Sequence, residues 1–496
     1  MDIKQVEDQL SKFIYELENE DRLVRVGLKD VAESAVIYKK YKDLFTKETL
    51  EEVSKASKVS KVSKDKDIID RIYFTLAGSY MGLTTAPEED KVTTYFSKAK
   101  IKAGDETIAY FQAGPKIAKD PIFDRREKTD AACVPVVSKI NPKQLALLKS
   151  EIKLIKGLGF ANYVDFASKS KKMDYAKFNK VIAKTIKDTQ KQWQKVMSEQ
   201  SSAIFGKPFR KIRSVHLNYL RSMSMYDNYY PKEKVVETFL KWTRDIGLSD
   251  LLTSIKIDDV DRPKKNPRAV CYWPMPPKEI HLVIKPIGGE QDFEAVFHEG
   301  GHALHGASID AKLPYTLKAL AHSNALTETY AFVLEDLVFD PDFLTTYLNV
   351  SAFTGKKIQW QAYFVNLMML RRYVGKFTYE YNMFSKNAIS KGPALYAKTL
   401  ESTTGFVHRR ENWLVDMDGS FYSADYLRAW IGAAQIKDYL NKKFGKKWFL
   451  NKKAGEFLRK LYARGVTDEI EDVVKRLGYK PWDTSLLIKG YKQVLV

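Results

Sequence analysis

The sequence predicts a mainly α-helical protein. Apolar residues recur at three- and four-residue spacings through most of the chain, and only residues 268–285 alternate as strands do. The length of 496 residues and a hydrophobic share of 44% describe a globular chain of two to four domains, not a disordered one.

In chain order, residues 1–50 read as amphipathic helix, with Leu10, Phe13, Ile14 and Leu17 on one stripe. Residues 54–67 are a Ser/Lys-rich, low-complexity stretch and read as a solvated helix end or loop. Helix resumes over 69–82. Ala103-Gly104 and Ala113-Gly114-Pro115 mark turns. Asn141-Pro142 opens a helical pattern that stops at Gly157-Leu158-Gly159. Residues 173–200 form a lysine-rich helix with Phe178, Ile182, Ile186 and Trp193 on its apolar side, and another helix covers 232–246. At 268–285 two short strands flank the turn Pro274-Met275-Pro276-Pro277. Helix returns beyond 310. No fixed-period repeat is evident.

The 82 Lys and Arg outnumber 62 Asp and Glu, giving a net charge of +20. The lysines are spread along the sequence, and no zinc knuckle, RNP-like segment or helix-turn-helix gathers them. The charge therefore reads as a solvated surface, and no nucleic-acid partner is expected. Two cysteines far apart, Cys133 and Cys271, imply no disulfide framework. The first residues carry no signal-peptide core, and no apolar run is long enough to span a membrane. A cytoplasmic location is expected.

Chemistry concentrates in His298-Glu299-Gly300-Gly301-His302. Residues four apart share a helix face, so His298 and His302 can offer two imidazole nitrogens to one metal ion. Glu299, next to them, is placed as a general base for a metal-activated water. The consecutive glycines each cost about 1 kcal/mol in a helix interior, which points to a close backbone approach. Five of the seven histidines lie between His281 and His322. A catalytic zinc needs a third protein ligand. Glu328, in an apolar helical run opened by Ser323, is the first choice. Glu335, seven residues on, is either an alternative ligand or an acceptor for an imidazole N–H. His305 and His322 read as structural histidines.

Together these residues resemble a known family. Phe297-His298-Glu299-Gly300-Gly301-His302-Ala303-Leu304-His305 resembles the F-H-E-F-G-H-A-L-H zinc signature of the thimet oligopeptidase and oligopeptidase F family. Gly157–Tyr163, Tyr226–Pro231, Arg268–Cys271 and Ala321–Glu328 are similar to segments around it. A second resemblance is to thermostable carboxypeptidases of the Taq type, carried by Gly419–Tyr426 and Ala433-Ala434-Gln435, although their H-P-F and D-x-R-x-T motifs are missing. Asp416 and Asp418 stand where the oligopeptidases usually have a histidine shortly before the tyrosines.

The resemblance implies a two-lobed, neurolysin-like helical fold with a deep central channel and a small sheet beside the zinc helix. The expected lobes are residues 1–200 and 201–496, intertwined. It implies one Zn²⁺ held by His298, His302 and Glu328, with Glu299 as general base. Tyr422 and Tyr426, one helical turn apart, are candidates to hydrogen-bond the oxyanion. Short unfolded peptides are the expected substrates, paired along the strand of Val270 and Cys271 by β-augmentation. The alternative is a metallocarboxypeptidase, in which Arg428, Arg409 or Arg410 would hold the substrate carboxylate. A basic nucleic-acid-binding protein with an incidental HExxH is the least favoured reading.

Overall fold

Asp2 caps the first helix, α1 (Ile3–Arg25), by accepting a hydrogen bond from the Lys4 N–H, and Val6, Leu10 and Phe13 form its buried face. The structure is a computed structural model and describes residues 2–209, 212–262 and 264–495. Where the sequence suggests helix up to residue 50, α1 stops before Gly27. This glycine has φ +74°, and a Cβ there would lie 2.9 Å from the Lys265 nitrogen. Shorter helices, Ser34–Lys40 and Lys47–Val59, follow. The Ser/Lys-rich stretch 54–67 is mostly helical: it ends Lys47–Val59 and begins Ser63–Lys98, with only residues 60–62 between them.

The expected turn at Gly104 joins two strands missed in the sequence, β1 (Lys100–Ala103) and β2 (Glu106–Ala109), paired antiparallel. Gly114-Pro115 does not end an element. It lies in the first turn of the short helix Ala113–Lys119, where a missing N–H is tolerated. Pro142 likewise does not open a helix. It lies inside Phe123–Gly157 together with Pro135, so tertiary packing overrides the breaker there. The lysine-rich helix α2 (Tyr175–Gln200) buries Phe178, Ile182, Trp193 and Val196. Helix α3 (Lys234–Asp245) buries Val235, Phe239 and Trp242.

A three-stranded sheet follows, in the order β3 (Ile255–Asp258), β5 (Glu279–Val283), β4 (Val270–Met275). Strands β4 and β5 are the expected hairpin, with Val270 opposite Val283 and Cys271 opposite Leu282. Strand β3 runs parallel to β5 and was not foreseen; its only sequence signal is the alternation of Ile255 and Ile257. Next come the HExxH helix α4 (Glu290–Ser308) and helix α5 (Ala325–Glu335).

Packing divides the chain into two compact units. Unit 1 comprises Met1–Leu83, Met225–Gln359 and Arg428–Leu486; unit 2 comprises Thr84–Ser224, Trp360–Leu427 and Leu487–Val496. The division does not fall at residue 200. The first 83 residues belong with the HExxH segment because α1 packs on β4. The Tyr272 hydroxyl donates to Asp21 at 2.5 Å, and Val26, Tyr272 and Val283 form one buried cluster. In unit 2 the buried guanidinium of Arg371 donates to the Thr403 carbonyl at 2.7 Å and to Gln190 at 2.6 Å, which pins α2. No helix among the described residues is long and apolar enough to cross a membrane.

Candidate metal centre

Helix α4 begins after Gly289, whose φ of +102° lets the chain turn into it. The Asp292 carboxylate accepts from the N–H groups of Ile287 and Gly288, both at 2.6 Å, and Asp227 accepts from the Glu290 N–H at 3.2 Å. Acidic groups at this end also suit the helix dipole. Phe293, Val296, Phe297 and Leu304 are fully buried. The Phe297 ring meets Phe239, Trp242 and Phe343 at centroid distances of 5.3–5.6 Å, so the helix is anchored on its apolar side.

The two glycines have separate reasons. A Cβ on Gly301 would lie 2.7 Å from the Ala331 Cα, so α4 and α5 touch main chain to main chain. A Cβ on Gly300 would lie 2.4 Å from the Phe239 ring. These contacts bring Glu328, one turn before Ala331 on α5, up to the histidine face of α4.

The outcome is a cluster of donor atoms. His298 Nε2 is 3.2 Å and His302 Nε2 3.8 Å from the same Glu328 carboxylate oxygen. The ligand atoms of all three residues lie within 4.8 Å of one another. Donors about 2.0–2.1 Å from a tetrahedral zinc stand roughly 3.3 Å apart, so these separations fit an ion among them. Two imidazoles and a carboxylate are also a catalytic zinc donor set. Glu328 is buried and the histidines are mostly so, with side-chain exposures of 14% and 15%.

Behind His298, the Nδ1 position is 2.7 Å from Glu335. The pairing assigns the Nδ1 proton to that bond and turns Nε2 toward Glu328. Glu335 thus takes the outer of the two roles open to it in the sequence. Burial lowers the His298 pKa, but its bonds to Glu328 and Glu335 outweigh burial and hold it well above the usual histidine value. The site favours positive charge at this point. His302 is shifted down instead, by burial first. Lys437, in ion-pair contact with Asp336, lies behind Glu335; burial pushes its pKa down to about 8, against the pull of Glu335. Nothing in the sequence marks this lysine.

Glu299 follows His298 on α4 and is half-buried. Its charge reaches Cys271 on β4, whose thiol is pushed well above its usual range by burial and then by Glu299. Val270 and Cys271 therefore do lie on a strand beside the HExxH helix, and β4 is at the sheet margin. Helix α1 covers part of that margin. The Glu18 carboxylate accepts from the Trp273 main chain, yet burial pushes its pKa up to about 7.

The remaining residues fall elsewhere. His305 is buried and donates from Nε2 to the Gly465 carbonyl at 3.1 Å, and burial lowers its pKa to about 3. His322 pairs with Asp67 at 3.0 Å. Both are structural, as their sequence contexts suggest. Arg428 is buried in unit 1, with its guanidinium on Glu471 at 2.7 Å, Glu469 at 3.1 Å and Ser323 at 2.8 Å. Its charge is already matched by carboxylates, unlike a cation held ready for a substrate terminus. Arg409 is in ion-pair contact with Asp130. Tyr422 and Tyr426 are half-buried, belong to unit 2 and have ring centroids 5.0 Å apart with planes tilted by 59°, at the start of the helix Tyr422–Phe444. Asp416 and Asp418 are tied to Arg372 and Lys376. Burial raises the Asp416 pKa, but those cations override it and hold the carboxylate below its usual range.

No protein-family model matches the chain, and no curated protein matches it by sequence. Solved structures do. A PZ peptidase A with an inhibitor superposes with a TM-score of 0.66 at 14% identity, covering 93% of this chain and 86% of that one. A protein described as an oligoendopeptidase F from Bacillus anthracis str. Ames superposes with a TM-score of 0.63 at 13% identity, covering 100% of this chain and 95% of that one. These likenesses span both units and establish the mainly helical fold expected from the sequence.

Proposed function

We propose that this chain is a zinc-dependent peptidase that hydrolyses short unfolded peptides. The observation that carries the reading is the convergence of His298, His302 and Glu328 within 4.8 Å, with Glu299 beside them on α4. Those three residues hold the ion. When bound, it supplies Lewis acidity and a lowered pKa for water at neutral pH.

The other steps belong to the chain. Glu299 takes a proton from the attacking water and later passes it to the leaving amine. Glu335 keeps the Nδ1 proton of His298 in place, so that Nε2 stays a donor. The β4 residues Val270 and Cys271 offer main chain to an extended peptide. The matched charge of Arg428 favours internal cleavage over removal of C-terminal residues.

Metal analysis and peptide hydrolysis on three proteins test this. Glu299→Gln is expected to keep one zinc per chain and lose about 10²–10⁴-fold in turnover. His298→Ala is expected to lose both metal and activity. Undiminished turnover in Glu299→Gln would remove that residue from its role. A peptide with a blocked C-terminus is expected to be cut; its complete resistance would favour a carboxypeptidase.

A further inference from the structure

Six of the lysines, all on α2, line up on one helix face. Helix α2 is regular from Tyr175 to Gln200. At about 100° per residue, Lys177, Lys180, Lys184, Lys187, Lys191 and Lys195 fall within an arc of roughly 80°. Every α2 position in that arc between 177 and 195 is lysine, and all six are exposed. At about 1.5 Å per residue the row is roughly 27 Å long. It lies opposite the buried face formed by Phe178, Ile182, Thr185, Thr189 and Trp193.

An ordinary solvated face mixes the two signs, as α1 does with Lys4, Glu7, Asp8, Lys12 and Glu16. Here five successive neighbours at three- or four-residue spacing carry the same charge, an arrangement that destabilises a helix. Lys184 has Asp188 at 2.5 Å and Lys177 has Asp174 at 3.5 Å. Lys180, Lys187, Lys191 and Lys195 have no ion-pair partner among the described residues. The unit that carries α2 has the same sense overall. Unit 2 holds 38 Lys and Arg against 20 Asp and Glu, a net +18, whereas unit 1 holds 44 against 42, a net +2.

We infer that the α2 lysine row is a docking surface for the phosphate backbone of double-stranded nucleic acid. Its geometry is a straight line of point charges suited to phosphates and not to bases. The α2 aromatics, Tyr175, Phe178 and Trp193, are buried, so the row has no stacking platform for an unpaired strand. The exposed α2 positions include no large apolar side chain to anchor in a lipid surface. Binding there is independent of sequence and of the metal centre.

The full chain is titrated into labelled 20-base-pair DNA and RNA duplexes by fluorescence anisotropy across a salt series. Anionic vesicles of phosphatidylserine and phosphatidylcholine form a separate arm. Six phosphate contacts give a slope of log K against log salt of about −5 on DNA. A fourfold Lys→Gln variant at 180, 187, 191 and 195 should bind at least about tenfold more weakly at low salt, with the slope falling to about −2. Matched Lys→Gln changes at 442, 443, 446 and 453 in unit 1 should change binding less than about twofold. Circular dichroism checks that both variants are folded. The inference is overturned by no duplex binding at low salt, by equal losses in the two variants, or by binding to vesicles but not duplexes. Glu299→Gln should bind as wild type does, which separates this result from the fate of the peptidase reading.

Discussion

Gly301 is where packing and the proposed metal chemistry meet, and Gly301→Ala tests the link. In an open helix the change would stabilise by about 1 kcal/mol. Here the new methyl carbon would lie 2.7 Å from the Ala331 Cα and 3.2 Å from the Tyr330 carbonyl oxygen. Ordinary carbon–carbon contact is about 3.5–4.0 Å, so α4 and α5 must part by roughly 1 Å. Neither obstacle is the end of a flexible side chain. Overpacking of this kind costs about 1–3 kcal/mol, which offsets that gain and leaves a net loss of up to about 2 kcal/mol. The same parting draws Glu328 away from His298 and His302, so zinc affinity should fall about tenfold or more. Gly78 is the control: it is an exposed glycine of the helix Ser63–Lys98, and a Cβ there meets nothing within 4 Å. Gly78→Ala should gain about 1 kcal/mol and leave zinc affinity unchanged. Denaturant midpoints of the metal-free proteins and competition with a zinc chelator read the two quantities. A Gly301→Ala protein as stable and as tight for zinc as wild type would refute the close-contact account.

Three further outcomes are expected. Glu335→Gln should weaken zinc binding about 10–100-fold in chelator competition while leaving the fold intact, because only the acceptor for the His298 Nδ1 proton is altered. Glu18 has a folded pKa of about 7, above that of an unfolded glutamate, so its contribution to stability is full below about pH 4.5 and is lost as pH rises through 7. Glu18→Gln should match wild type near pH 4 and exceed it by about 1–3 kcal/mol at pH 8; a constant gap would be the wrong result. Burial pushes the Cys133 thiol up to about 11 and the Cys271 thiol well above its usual value, so both should alkylate slowly at pH 8 in the native protein and fast after denaturation.

The histidine face of α4 was legible because its geometry is local. Helical spacing alone puts His298 and His302 together, and the costly glycine pair signals the approach of a second helix. Glu328 was picked out because a carboxylate in an apolar helical run needs a partner, and its carboxylate does lie within 4.8 Å of the ligand atoms of both histidines. Lys437 was not legible, since its place behind Glu335 is set by tertiary packing about 100 residues away in sequence. Pro142 misled because local propensity predicts a start where the long helix Phe123–Gly157 runs on. Strands β1 and β2 are only four residues each, too short for alternation to stand out. The α2 lysines were visible as composition, but their alignment required the helical angle of each position. The packing units interleave without a boundary at residue 200, and no compositional break marks where α1 docks on β4.

The interleaving of the two units bears on how the protein is made. Unit 1 draws on three separated stretches, the last being Arg428–Leu486, and that stretch supplies Lys437 behind Glu335 and the Gly465 carbonyl that fixes His305. A nascent chain that has already emitted His298, His302 and Glu328 still lacks these supports for more than 100 residues of synthesis. At about 5–20 residues per second, the ribosome exposes half-finished surfaces of both units for seconds. Unit 1 can therefore close only after Arg428–Leu486 has been made, and neither unit can be obtained by cutting the gene at a single point.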